Sequence, residues 1–149
     1  MTDLAAWLEA GALAQFLKQS RWVYPLVNAG HILGLALLLG AVVPMDLRLL
    51  GLVRRGRVED AVALLRPFAA AGLALAITCG ALLFVTQATD YIMNPWFRWK
   101  MALLAAAILN AALHLHLARP GHAHLRLPAA LSLALWPTVL IFGRMIAYS

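Results

Sequence analysis

Residues Trp22 to Met45 read WVYPLVNAGHILGLALLLGAVVPM. The stretch carries no Asp, Glu, Lys or Arg, and it exceeds the about 20 apolar residues that cross a bilayer as a helix. Its middle holds Asn28, Gly30, His31 and Gly34. A histidine beside a GxxxG spacing, at membrane depth, is the least expected feature of the chain, and the rest reads as scaffolding around it.

Working outward, the whole composition agrees with that stretch. Of 149 residues, 64% are hydrophobic and 12% charged, against about 45–50% and about 25% in a soluble domain. Folded in water, such a chain would leave large apolar patches exposed. The expectation is an all-α, polytopic membrane four-helix bundle. Twelve Lys and Arg against six Asp and Glu give a net charge of +6. The basic residues lie between apolar runs, where they signal topology and meet headgroups; no nucleic-acid partner is expected. The single cysteine, Cys79, excludes an intramolecular disulfide and a cysteine-based metal motif. No GxGxxG, P-loop, HExxH, CxxC or GxSxG pattern occurs, and no internal repeat. The first 20 residues lack the layout of a cleaved signal peptide, and no lipidation motif is visible.

One transmembrane domain is expected over residues 1–149. A short interfacial helix over 3–19 starts with Thr2 or Asp3 as N-cap. Spans follow at about 24–43, 67–86, 99–118 and 128–147. The first begins at Tyr24-Pro25 and ends near Val43-Pro44. Residues 45–66 hold most of the charge, with a turn at Gly56 and a short surface helix from Val58 to Leu65. In the second span Gly72, Ala76 and Gly80 share one stripe, so that a neighbouring helix can approach closely. Residues 87–100 read as a loop with a turn at Asn94-Pro95. The third and fourth spans are joined by the short RPGHAHLRL loop and should lie antiparallel. Pro137 interrupts the fourth.

Orientation follows from charge. Residues 44–66 and 119–127 hold seven Lys and Arg, five and two, and the opposite side holds five. The Arg54–Arg57 cluster marks the first side as cytoplasmic. Trp7, Trp22, Tyr24, Tyr91, Trp96, Trp99 and Tyr148 all fall on the other side. The expectation is a multi-pass protein of a bacterial inner membrane with both termini periplasmic.

Ionisable groups inside a span are functional candidates, because an unpaired one is costly there. His31 comes first, with Asn28 one turn away on roughly the same face. A neutral imidazole at depth ligates haem iron, ligates a metal, relays a proton, or bonds to a neighbouring helix. Asn110 and His114 share a face of the third span at i and i+4. His116 lies about 200° around from His114 and points elsewhere. His122 and His124 read as a solvated loop that could bind a metal loosely. Arg144 either snorkels to the interface or turns inward to an anion such as a haem propionate or a quinone oxygen. Asp46 and Arg48 suit a local ion pair. By helix rise, His31 and His114 are offset by about 11 Å along the membrane normal. That offset counts against one iron shared by both, but helix tilt of about 20° takes up part of it, so one shared site and two separate sites both stay open. Thr78 and Cys79 lie near the level of His31, and Ser132 near that of His114.

The segments HILGLALLLGAVVPMDLRLLG, KMALLAAAILNAALHLH and GRMIAY are similar to an uncharacterised family of small bacterial four-helix membrane proteins, over nearly the whole chain. More distantly, the layout resembles the copper-resistance D-type membrane domain and the cytochrome b561-type bundle. That resemblance implies copper handling or haem b on helical histidines, here His31 and His114. A two-haem b561-type protein would use four such ligands, and this chain places two histidines at depth. The leading expectation is an electron-transfer subunit that binds haem b or copper. Its cofactor-binding residues would be His31, His114, Asn28, Asn110 and Arg144, with His31 and His114 as metal ligands. It would work with a membrane or periplasmic redox partner, as a monomer or a homo-oligomer. Alternatives are a non-catalytic scaffold subunit without a cofactor, and a copper or small-solute transporter.

Overall fold

A computed structural model describes residues 2–54, 56–117 and 126–149. Among these the secondary structure is helical, with no strand. The helices are α1 (Thr2–Ala10), α2 (Ala12–Gln19), α3 (Val23–Leu49), α4 (Val58–Thr86), α5 (Ala88–Met93), α6 (Pro95–Leu117) and α7 (Arg126–Met145), closed by a 3-10 turn at Ile146–Tyr148. Three stretches are long and apolar enough to cross a membrane: α3, α4, and α7 with its terminal turn. Their outward side chains are apolar as well. Leu26 is 68% exposed, Ile32 60% and Ile141 58%, which suits lipid and not water.

Helix boundaries depart from expectation where proline or glycine reads as punctuation. The segment expected as one helix over 3–19 is two, broken at Gly11, whose backbone is extended at φ −63°, ψ 150°. The break lets α1 pack on α5 and α2 on α4, with Ala5, Ala14, Leu17 and Ala88 buried. Glu9 anchors the first contact, its Oε1 accepting the Thr89 amide at 2.7 Å at the start of α5.

Pro44 does not end α3, which continues to Leu49. A helical proline crowds the carbonyl four residues earlier, here that of Gly40, and removes one backbone bond, and α3 continues through it. Gly51 then closes the helix at φ +78°. The Leu52 amide bonds to the Leu47 carbonyl and the Gly51 amide to the Arg48 carbonyl, a Schellman cap. Likewise α4 runs through Pro67, so the expected surface helix at 58–65 is its first two turns. In α7 the Thr138 hydroxyl donates to the Ala134 carbonyl at 2.7 Å, beside the gap left by Pro137. Part of the expected loop 87–100 is helical too. Asn94 Oδ1 accepts the Trp96 amide at 2.9 Å, Pro95 takes the first position, and α6 starts four residues before Trp99.

Two pairs of helices organise the interior. Along α3 and α4 the backbones touch. A Cβ on Gly34 would lie 2.6 Å from the Ala76 nitrogen, and one on Gly72 2.5 Å from the Leu38 nitrogen. Gly34 and Gly72 therefore permit a separation that no other residue allows. The partners run in opposite directions: Gly30 meets Cys79, Gly34 meets Ala76, and Leu38 meets Gly72. The second pair is α6 on α7, and α7 also packs on α3. Leu38, Val42, Ala107 and Trp136 form the buried centre where α3, α6 and α7 meet.

Gly72→Ala should lower stability by about 1–3 kcal/mol, because the added methyl meets backbone that cannot yield. Gly40→Ala meets nothing and should gain up to about 1 kcal/mol from helix propensity. Thermal unfolding of the two variants in detergent checks the contrast.

Candidate functional site

α4 and α6 make no extensive contact with each other, and the space between them forms two cavities. The first, about 380 Å³, lies toward the N-terminal half of α3, and its wall includes His31, Gly80, Phe84, Phe97, Lys100 and Met101. The second, about 200 Å³, lies toward the other end; His114, Asn110, Asp46, Arg66 and Ser132 line it. Leu38, Leu73 and Trp136 border both and stand between them.

His31 is held from two sides. Its Nδ1 lies 2.8 Å from the Ala76 carbonyl. A carbonyl only accepts, so in the neutral ring Nδ1 carries the hydrogen and Nε2 keeps the lone pair. Gly80 supplies the seat: a Cβ there would lie 3.0 Å from His31 Cε1 and 3.3 Å from Nδ1. The Nδ1–Cε1 edge thus rests on α4, and the opposite edge faces away from it. A backbone carbonyl holding one ring nitrogen while the other is left basic is the usual setting of a metal-ligating histidine.

Across the cavity, α6 presents Lys100, whose chain lies over Gly143 of α7; a Cβ on Gly143 would be 3.3 Å from both Cε and Nζ. Lys100 has no hydrogen bond or ion pair among the described residues. Sequence reasoning missed it because the residue sat at the edge of an expected loop. The signal was Asn94-Pro95, which as cap and first residue moves the helix start ahead of Lys100, together with Gly143 making room for it. Phe84 and Phe97 stack at 5.5 Å and 12°, with Tyr91 packed 5.2 Å from Phe97. Burial, and secondarily the Tyr24 hydroxyl, hold the Tyr91 phenol above its ordinary pKa. This aromatic group stands at the end of the first cavity nearest α5.

The other expected site residues fall elsewhere. His31 and His114 line separate cavities, so one iron held by both does not fit. Asn28 is exposed and lines neither cavity; three residues from His31, it is turned about 60° off the buried face. Asn110 is 9% exposed, and its Nδ2 donates to the Pro128 carbonyl at 2.9 Å, tying α6 to α7. Arg144 is exposed and folds back on Tyr148, with Nη2 2.8 Å from the hydroxyl and the guanidinium 5.0 Å from the ring centre. Arg144 thus points outward, and Lys100 is the cation that lines the first cavity. The expected Asp46–Arg48 pair does not form: the Arg48 guanidinium donates to the carbonyls of Val53 and Gly56. Cys79 is buried against Gly30. No three of His, Cys, Asp and Glu converge as a metal cluster among the described residues. His122 and His124 lie outside the described residues, as does the side chain of His116.

The residues of the first cavity fit a haem as a single-histidine site with an internal cation. They do not fit a bis-histidine site. The same two groups also fit a flat apolar molecule that carries an oxygen acceptor for Lys100 and a hydroxyl donor for His31 Nε2. Comparison of the chain with known family models, curated proteins and solved structures finds no match.

Asn110→Ala should cost about 1 kcal/mol by removing the α6–α7 bond. Arg144→Ala should change stability by less than about 0.5 kcal/mol, as an exposed substitution. Thermal melts of both proteins in one detergent test the pair.

Proposed function

We propose that this chain is a four-span membrane bundle that holds haem b in its first cavity and serves as an electron-transfer subunit. The observation that carries the reading is the His31 ring, fixed by the Ala76 carbonyl and seated on Gly80 in an apolar cavity. The fourth span is α6, whose 23 residues reach about 34 Å as a helix, against about 30 Å of hydrocarbon.

Haem b, when bound, supplies a one-electron couple. His31 offers Nε2 to the iron, and the Ala76 carbonyl raises the basicity of that nitrogen through Nδ1. The Lys100 ammonium pairs with a carboxylate of the porphyrin edge. The apolar walls exclude water. The exposed Arg54 and Arg57 favour the α3–α4 turn as cytoplasmic, which leaves the His31 cavity toward the periplasmic half of a bacterial inner membrane. A redox partner would then approach from the side of α1, α2 and α5.

A second reading rests on the polar complement of that cavity. The Lys100 ammonium can donate to one oxygen of an isoprenoid quinone, and His31 Nε2, an acceptor in the neutral ring, can take the hydroxyl hydrogen of the reduced quinol at the other. Copper transport ranks behind both, since no three-ligand group converges among the described residues.

A reduced-minus-oxidised spectrum of the protein purified in mild detergent tests the reading. Wild type should show haem b absorbance and His31→Ala should lose it. Gly80→Ala should shift it, because the methyl displaces the ring. A silent spectrum, with quinone recovered by solvent extraction, would replace haem by the second occupant.

A further inference from the structure

The second cavity differs in chemistry from the first and is independent of what the first holds. Asp46 forms part of its wall and is 0% exposed. Neither carboxylate oxygen has a partner in full hydrogen-bond geometry, and the Ser132 side chain stands beside the carboxyl. A carboxylate so placed needs a hydrogen-bond donor or a cation. Ser132, 6% exposed, lines the same cavity. Asn110 does too, and its amide nitrogen is engaged by the Pro128 carbonyl, which leaves Oδ1 as an acceptor. Acceptors thus line this cavity together: Asp46, Ser132 and Asn110.

The opposite sign is supplied by Arg66, exposed on α4, with the His114 imidazole on α6. One anionic and one cationic side chain share one cavity with an apolar wall of Leu38, Val42, Met45 and Leu73. A lone metal ion satisfies Asp46 but not Arg66. A simple anion does the reverse. A zwitterion satisfies both.

Depth selects the kind of zwitterion. Leu38 of α3 lies against Gly72 of α4. Asp46 is eight residues beyond Leu38 and Arg66 six before Gly72, so in this antiparallel pair they stand about 12 and about 9 Å from the crossing, on the same side. Measured from the middle of α3, Asp46 is about 15 Å out, the edge of a hydrocarbon layer about 30 Å thick. That is where lipid headgroups begin. The gap between α4 and α6 gives acyl chains a way out to the bilayer.

We propose that the second cavity binds the headgroup of an aminophospholipid. The primary ammonium donates to Asp46, Ser132 and Asn110 Oδ1, and the phosphate is held by Arg66 and His114. Specificity comes from N–H donors: a quaternary ammonium carries the same charge but cannot hydrogen-bond.

The test uses the full chain in detergent, with lipid retention read by native mass spectrometry. The probes are phosphatidylethanolamine, phosphatidylcholine and phosphatidylglycerol of matched acyl chains. Wild type should retain phosphatidylethanolamine about tenfold better than phosphatidylcholine, the worth of a charge-assisted hydrogen bond. Asp46→Asn should erase that preference, and Arg66→Gln should weaken retention of all three. Ser132→Ala should narrow the preference, and it covers the case in which Asp46→Asn does not fold. The wild-type ranking needs no variant. Equal retention of the amine and choline lipids, or a preference for phosphatidylglycerol, overturns the proposal. So does displacement of bound lipid by soluble phosphoethanolamine as effectively as by phosphatidylethanolamine, since the site would then read a free solute.

Discussion

Backbone touches backbone where α3 crosses α4, at Gly34 and Gly72, and the rest of the interior depends on that contact. Apolar side chains gain little from meeting one another in lipid, which is as apolar as they are, so association falls to close packing and hydrogen bonds. Gly34 and Gly72 remove the side chains that would hold the helices apart, and the resulting register has no slack. It sets His31 opposite the Ala76 carbonyl and over Gly80. It also brings Asp46 and Arg66, far apart in the chain, to one height.

The cavities are a consequence of how the close faces are used. α3 gives its small-residue face to α4 and touches α7 with Leu38 and Val42, while α6 gives its own to α7. Among the described residues the Phe84–Phe97 stack joins α4 to α6 at one end, and no extensive backbone contact draws the two together. The space left there is divided because Leu38, Leu73 and Trp136 are large and stand at mid-height. Polar groups are then divided by level: an imidazole and an ammonium in one half, and an acid, an amide, a hydroxyl, a guanidinium and a second imidazole in the other.

Much of this was legible beforehand. The all-helical class followed from composition, and the stripes Gly30–Gly34 and Gly72–Ala76–Gly80 did mark a close contact. The depth offset of His31 and His114 agrees with their lining separate cavities. What failed was assigned by position along the chain alone. Pro44 and Pro67 read as boundaries because a proline lacks the amide and crowds the carbonyl four residues earlier, yet α3 and α4 continue through them. Asn28 looked like a partner of His31 because three residues is nearly a turn, yet the remaining angle carries it outside. Arg144 outranked Lys100 because it lay in a firmer span. Which of two cations turns inward depends on room, and Gly143, beside Arg144 in sequence, makes that room for Lys100 from another helix. Register between helices has no signature in a single strand of letters.

Glu9 closes on the amide of Thr89, 80 positions downstream. During synthesis the amino-terminal segment therefore waits, unmated, until two long helices have been made and placed. Its greasy side chains, Leu4 and Trp7 among them, are outward even at the end. Docking of that segment is thus a late event in assembly, and the polar recess among α1, α2 and α5 exists only once it has happened.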